Sequence, residues 1–570
     1  MKDINTTLIT NPGSIGERVD VNGTLYFTMS TPTTGSELWK SDGTVAGTVL
    51  VRDILPGPTG SGVANLTNVN GTLFFSASDG VSGTELWKSD GTEAGTVRVM
   101  DLLAGSNGSS PSSFISYNGM LYFSGYSSGK GVELFKSDGT EAGTVLVKDI
   151  EAGIFSSTPS TMTIVNGLLY FTAYTTANGY ELWKSDGTNS GTVLVKDIYP
   201  LSGNASTSPS NLTDVSGTLF FTANDGTNGV ELWKTDGTDA GTFMVEDILP
   251  GNGTSSPSLL TNVNGKLFFR ASDGINGAEL WTSDGTEAGT MLVKNLATGA
   301  TGSTLSNLVS FNNQLYFAAN TGAGGTKLWR SDGTDAGTVT VNASTIGNVS
   351  NFLKIGNTLF LSASDTTGGQ ELWSSDGSDA GTLRVKDIRP GASSSNPAQL
   401  VDVNGTLFFQ ATSGSTGVQL WKSDGTDGGT VQIRSFFDGT KDSNPTEFVT
   451  IGGITYFTAD DGTSGRELWK TDGTAAGTVR VKDINVGVST SDPKSLVEMN
   501  GILYFSAFGS GSGYELWRSD GTDAGTYRVK DIATGSSSSS PTLLTNVNGT
   551  LYFQATDGTS GVELWKSDGT

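Results

Sequence analysis

The chain of 570 residues contains no cysteine and no histidine. Without cysteine there is no disulfide framework and no thiol nucleophile. With neither residue there is no Cys/His zinc centre, and the commonest general base of enzymes is absent as well. The redox compartment stays open, because an extracellular protein can do without disulfides. Basic residues are scarce: 33 Lys and Arg stand against 57 Asp and Glu, a formal net charge of −24. A nucleic-acid partner requires a basic surface, so none is expected. Binding to an anionic membrane surface is disfavoured for the same reason. Divalent cations, or cationic groups on a partner, suit this field better, and the acidity also keeps a large extracellular or surface protein soluble. No apolar run approaches the roughly 18 residues of a spanning helix. The opening MKDINTTLITNPG has no apolar core of a signal peptide.

What is present is a repeat. ELW-type motifs begin at Glu37, Glu85, Glu133, Glu181, Glu231, Glu279, Lys327, Glu371, Gln419, Glu467, Glu515 and Glu563. The spacing is 48 residues except for 50 before Glu231 and 44 before Glu371. All eleven tryptophans occupy the third motif position: Trp39, Trp87, Trp183, Trp233, Trp281, Trp329, Trp373, Trp421, Trp469, Trp517 and Trp565, with Phe135 in the remaining copy. The whole chain, 1–570, therefore reads as a single repeat domain of twelve units.

One unit resolves into four strands, A to D. PTLLTNV (541–547) alternates, Asn548-Gly549 turns, and TLYFQA (550–555) returns. DGTSG (557–561) turns again into VELWKS (562–567), and internal copies add a fourth strand such as TVLVKDI (144–150). A Gly/Ser/Pro segment such as PGNGTSSPS (250–258) then crosses to the next unit. The A–B turn is Asn-Gly in eight copies, with Ser216-Gly217, Asn312-Asn313, Gly356-Asn357 and Gly452-Gly453 in the others. Such pairs tolerate the positive φ of a type I′ hairpin.

Strand alternation puts Trp and Leu of ELW on opposite faces, and likewise the two aromatics of TLYF. A sheet apolar on both faces must be covered on both, and identical sheets stacked around an axis achieve this. The expectation is an all-β propeller of twelve four-stranded antiparallel blades in one closed ring. Two six-bladed rings are the alternative, and an open solenoid is a third arrangement. The start Met1-Lys2-Asp3-Ile4 matches the tail of a D strand (compare VKDI, 147–150), so the N-terminal strand is expected to complete the last blade.

The unit resembles the ELWxxDGT repeats of large, mostly bacterial proteins, and the resemblance covers the whole chain. Asp-Gly is present in all twelve copies, while Lys327, Gln419, Phe135 and Ser378 depart from the motif. The resemblance implies a propeller and a secreted or cell-surface setting, with no established activity.

Three acidic sets are candidate ligands. The first is the C–D turn: Asp42, Asp90, Asp138, Asp186, Asp236, Asp284, Asp332, Asp376, Asp424, Asp472, Asp520 and Asp568. A cation site needs six to eight oxygens, whereas an Asx turn needs only the loop's own N–H groups, so the structural role is preferred. The second is the B–C turn: Asp79, Asp225, Asp273, Asp365, Asp461 and Asp557. These are the weak metal candidates, since half the blades lack one. The third follows strand D: Asp3, Asp53, Asp101, Asp149, Asp197, Asp247, Asp387, Asp483 and Asp531, replaced by Asn295, Ala343 and Ser435. The Lys or Arg before several of them suggests surface charge pairs. The repeated Trp suits sugar stacking in principle, but its mid-strand place fits core packing. Twelve similar blades offer no unique carboxylate pair for glycoside cleavage.

The functional expectation is a non-enzymatic scaffold or multivalent binding and adhesion module, monomeric, without cofactor, with an extracellular protein or glycan as partner. A carbohydrate-binding lectin, with or without calcium, is the alternative, and a carboxylate-based glycosidase is the third reading. The face carrying the D–A and B–C loops is where a ligand is expected.

Overall fold

The computed structural model describes residues 15–22, 24–31, 33–41, 49–200, 207–322, 325–342, 346–365, 367–403, 405–414, 417–433, 442–559 and 561–569. Among them there are twelve antiparallel sheets, each of consecutive strands in chain order, eleven with four strands and the last with three. Blade 2 is representative: Ala64–Val69 (A), Thr72–Ser78 (B), Thr84–Ser89 (C) and Val97–Met100 (D). In blade 12 the strands are Thr542–Val547, Thr550–Thr556 and Val562–Ser567, as the hairpin signals predict. The proposed closing strand Met1–Ile4 lies outside the described residues, as does Asp42.

The apolar side chains form twelve clusters, each shared by two blades. Between blades 1 and 2, Leu73, Phe75, Ala77 and Trp87 pack on Tyr26, Leu38, Val51 and Ile54. The same set joins blades 6 and 7, where Trp329 and Phe317 meet Phe268 and Leu280. The decisive cluster joins blade 12 to blade 1: Val547, Tyr552 and Leu564 pack on Leu25, Phe27, Met29 and Trp39. Two six-bladed rings would pair blade 6 with 1 and blade 12 with 7, and an open solenoid would leave blades 1 and 12 unpaired. The molecule is one closed twelve-bladed ring. Trp and Leu of ELW do serve opposite interfaces. The indole faces the preceding blade rather than the following one, because strand C runs so that Leu38 looks toward blade 2 and Trp39 toward blade 12.

Consecutive A strands lie against one another, which places A at the central channel and D at the rim. Each A strand of blade 2 type carries a bulge, with the register slipping between Ala64 and Thr67 around Asn65 at φ 61°. Equivalent positions hold even Leu259 (φ 56°) and Leu543 (φ 55°). Hydrophobic patterning gives no sign of this bulge. It bends the channel wall and brings side chains to the neighbouring blade: Asn65 Nδ2 donates to Pro111 O, and Glu17 Oε2 accepts from Leu66 N.

Candidate functional site

The D–A crossover and the B–C turn meet at one face of the ring. Ser61 N donates to Ser36 O, and Ser78 N donates to Ser61 O. The A–B and C–D turns occupy the other face, where Asn312 Nδ2 of blade 7 donates to Asp376 O of blade 8.

The C–D turn is held by its own aspartate. Asp90 Oδ1 accepts from Thr92 N and Thr92 Oγ1, both at 2.8 Å. Thr92 Oγ1 in turn takes Gly95 N, and Thr96 Oγ1 donates to Thr92 O. Nine further turns repeat this through Asp138, Asp186, Asp236, Asp284, Asp332, Asp376, Asp424, Asp472 and Asp520. Ser378 does the work of threonine, donating to Asp376 Oδ1 at 2.7 Å, because the turn uses only the hydroxyl. The threonine donors hold the Asp138 and Asp472 carboxyls below their ordinary range. Gly91, at φ 89°, also lets the preceding blade approach: a Cβ there would lie 2.2 Å from Tyr26 Oη. A Cβ on Gly95 would meet Asp90 Oδ1 at 2.1 Å. The Asp-Gly-Thr end of the repeated motif is therefore an Asx turn and an inter-blade contact at once.

The B–C aspartates behave likewise. Asp79 accepts from Val81 N and Ser82 N and pairs with Arg98. Asp225 and Asp273 are bound by the N–H groups and amide of Asn228 and Asn276. Asp365 and Asp461 pair with Arg384 and Arg480, and Asp557 accepts from Thr559. Burial pushes Asp461 up, yet donors from Ser464 and Thr463 outweigh it and hold the carboxyl low. Among the described residues no three His, Cys, Asp or Glu side chains gather as a metal site.

The aspartates after strand D correct the expected pairing. Asp101, Asp387, Asp483 and Asp531 meet the arginine three residues earlier, not the residue before them. These aspartates lie just past the end of strand D, as Asp101 does after Met100, so strand alternation no longer fixes their side. The preceding lysines reach the next blade instead: Lys196 to Asp239, Lys386 to Asp427 and Lys482 to Asp523, at 3.0–3.2 Å.

Every motif tryptophan is buried, from 2 % exposed at Trp469 to 9 % at Trp329, and Phe135 is 3 % exposed. Sugar stacking on them is excluded by burial. Trp87 stacks on Phe75 and donates Nε1–H to Ala77 O at 3.0 Å.

Sequence reasoning passed over the first motif residue. Glu37 is wholly buried and clamps the crossover. Its carboxylate accepts Ile54 N (3.1 Å), Leu55 N (3.3 Å), Ser61 N (2.7 Å) and Ser61 Oγ (2.6 Å). Burial pushes these glutamates up, to about 7 at Glu133, Glu231 and Glu467 and about 8 at Glu181, against the pull of their donors. The signal available in the sequence was covariation within the chain: a Ser or Thr stands 24 or 26 residues after the motif glutamate, and Lys327 lacks one.

The loop face also carries exposed apolar groups. Val81, Ile154, Ile275, Val486 and Val488 are 70–82 % exposed, all in B–C turns or D–A crossovers. Blades 4 and 11 add aromatic pairs there, Tyr174 with Tyr180 and Phe508 with Tyr514, at 5.3 and 5.4 Å between centroids. A cleft of about 200 Å³ runs along strand C of blade 12, lined by Leu516, Val529, Phe553, Trp565, Lys530, Lys566 and Asp568 among others. Its described lining holds one carboxylate beside two lysines.

These features define a twelve-bladed β-propeller built on identical structural turns. No family model matches the chain, and no curated protein does. Among solved structures it is similar to the Niastella koreensis GH74 enzyme, at 13 % identity over 99 % of this chain and 92 % of that one, with a TM-score of 0.26. It is similar to a puromycin hydrolase at 13 % identity, covering 62 % and 59 %, with a TM-score of 0.24. The propeller domain of the trilobed protease of Pyrococcus furiosus is matched at 12 % identity, 56 % and 97 % coverage and a TM-score of 0.23. Likeness this low carries nothing about what this chain binds or acts on.

Proposed function

We propose that the ring is a non-enzymatic, multivalent binding and adhesion scaffold, working in the secreted or cell-surface setting that the ELWxxDGT resemblance implies. The observation that carries this reading is that the five most exposed large apolar side chains, Val81, Ile154, Ile275, Val486 and Val488, all fall in loops of one face, at several blades around the ring. Exposed apolar groups at loop tips are costly in water and suit contact with a partner, and a rigid ring presents them many times over. A lectin is the second reading, favoured by the aromatic pairs of blades 4 and 11. The loop donors on Oδ1 of the C–D turn aspartates favour the reading without calcium.

The test is binding of the intact ring to arrayed glycans and to a panel of extracellular proteins and cell-envelope fractions, beside a variant carrying Ile154→Ser, Phe155→Ser, Val486→Ser and Val488→Ser. Binding that falls at least tenfold in the variant supports the reading. Glycan binding lost on Tyr180→Ala and Tyr514→Ala favours the lectin. Turnover of a glycoside or peptide substrate by the purified ring overturns the non-enzymatic reading.

A further inference from the structure

The crossover hydroxyl has two partners, and its distances to them trade off from blade to blade. Ser255 Oγ lies 2.5 Å from Glu231 Oε2 and 3.4 Å from Val230 O. Ser395 Oγ lies 2.7 Å from Glu371 and 3.1 Å from Gln370 O. Ser539 Oγ lies 2.8 Å from Glu515 and 3.0 Å from Tyr514 O. Thr207 completes the swing, 3.1 Å from Glu181 and 2.5 Å from Tyr180 O. Blade 9 supplies a neutral reference. There Gln419 replaces the glutamate, and Ser443 Oγ donates to Val418 O at 2.6 Å. Wherever the carboxylate's hold is strongest, the hydroxyl leans to it; where the motif residue is a neutral amide, the hydroxyl turns to the main chain.

We propose that each buried glutamate and its crossover hydroxyl form a two-position proton latch. In the charged position the hydroxyl donates to Oε2. On taking one proton from solvent, Oε2–H donates to the hydroxyl oxygen, the hydroxyl donates to the carbonyl before the glutamate, and the pair goes from −1 to neutral. Both positions leave every polar atom of the pair satisfied, so the ring takes up protons without opening. A Ser or Thr hydroxyl supplies both the donor and the acceptor lone pair this requires. Nine described blades carry such a pair.

The groups facing each latch make the proton worth holding. The carboxylate sits in an apolar setting, with an alanine such as Ala459 opposite Glu467 on strand B. The nearest charges are also negative: Asp197 beside Glu181, Asp247 beside Glu231 and Asp483 beside Glu467. Burial and like charge both favour the neutral form. Glu181, whose hydroxyl already leans away, is pushed up furthest, to about 8.

Infrared difference spectra of the intact ring, with ¹³C-labelled glutamate to mark the bands, test this directly. The expected result is a protonated-carboxyl stretch that persists at about pH 6, well above the ordinary carboxylate range, and is gone by about pH 9. Glu467→Gln removes one component of the band, because that glutamate is among those pushed up to about 7. Ser491→Ala shifts one component to higher frequency, because that acid proton loses its acceptor. A purely structural glutamate would move neither feature. Wild-type spectra with no protonated-carboxyl band above about pH 5.5 overturn the proposal regardless of how the variants fold. A band unaffected by Ser491→Ala overturns the role given to the hydroxyl.

Discussion

The eleven buried tryptophans are not equivalent, and the difference is measurable. Trp87 donates its indole N–H to Ala77 O at 3.0 Å. Trp183 is equally buried, at 6 % against 4 % exposed, but its Nε1 reaches no protein acceptor. Consider phenylalanine at each site, as blade 3 already has at Phe135, stacked 5.7 Å from Phe123. Lost area and a small cavity cost about 1–2 kcal/mol at either site. At blade 2 the substitution also breaks a buried hydrogen bond, adding about 1 kcal/mol. At blade 4 it removes an unpaired buried donor, returning about 1 kcal/mol. Trp87→Phe should therefore cost about 2–3 kcal/mol and Trp183→Phe about 0–1 kcal/mol. Melting is a poor assay: with an unfolding entropy of about 2 cal/mol/K per residue, 1 kcal/mol moves a ring of this size by about 1 °C or less. Native-state hydrogen exchange reads the local opening free energy instead. The amides of Thr72–Ser78 should lose protection in Trp87→Phe by at least tenfold more than those of Leu168–Thr175 in Trp183→Phe. Equal losses would refute the assignment of the indole N–H as the distinguishing contact.

Gly521→Ala should destabilise its blade by about 2–4 kcal/mol in the same exchange assay, combining a left-handed φ with overpacking; φ is 85° and the new Cβ would lie 2.3 Å from Tyr456 Oη. Tyr456→Phe, which removes that oxygen, should recover part of the loss. Lys482→Ala, which cuts an exposed 3.1 Å pair with Asp523, should change stability by less than about 0.5 kcal/mol in chemical denaturation. Calcium and EDTA should leave the melting temperature unchanged within error, since loop N–H groups occupy the turn aspartates; a calcium-dependent rise would reinstate the cation. Stability should pass through a maximum near about pH 4 to 4.5, between the unfolded ranges of Asp and Glu. The turn aspartates have folded values below their unfolded ones, so their contribution is present above the unfolded range and is lost as pH falls. The motif glutamates are raised, so the folded state binds more protons and stability falls as pH rises from the unfolded carboxylate range up to about 7 to 8, where the loss is complete. A curve still rising at pH 8 would contradict the second half.

Blade count, strand order and the two-faced core were legible because each depends on neighbours within a strand or a hairpin. Asn-Gly set the A–B turns, and alternation in ELW set which side chains face which blade. The role of the glutamate was not legible in that way. Its partners lie 17 and 24 residues on, such as Ile54 and Ser61 for Glu37, beyond an entire turn and strand. Periodicity reports which side a residue faces, and a buried charge looks polar on any pattern. The A-strand bulge was hidden for the opposite reason, since the backbone at Asn65, Leu259 or Gln399 turns left-handed without any fixed residue type. What the bulge selects is a position in the ring, where the narrow inner edge of each blade must turn.

Blade 7 joins these threads, because there the rules break together. Lys327 replaces the glutamate, the motif spacing shortens to 44, and Gly347 stands where a crossover serine would be. Lys327 Nζ donates to Ile346 O. Among the described residues the shorter crossover brings the Ile346 carbonyl to the end of strand C, which suits a donor at the motif position. The main chain follows suit: Ile346 N is taken by Asn342 O within the crossover itself. Restoring the consensus residue should therefore do harm. In Lys327→Glu a carboxylate replaces the donor that faces the Ile346 carbonyl, whereas Lys327→Met keeps the stem and loses the bond to it. The expected order of stability is wild type, then Lys327→Met lower by about 1 kcal/mol, then Lys327→Glu lower by about 2–3 kcal/mol. Exchange protection of Thr358–Asp365 in blade 8, which pairs with Ile346, reads it locally. If Lys327→Glu matched or exceeded wild type, the crossover would be supplying N–H donors after all, and the link between loop length and the charge of the motif residue would be wrong.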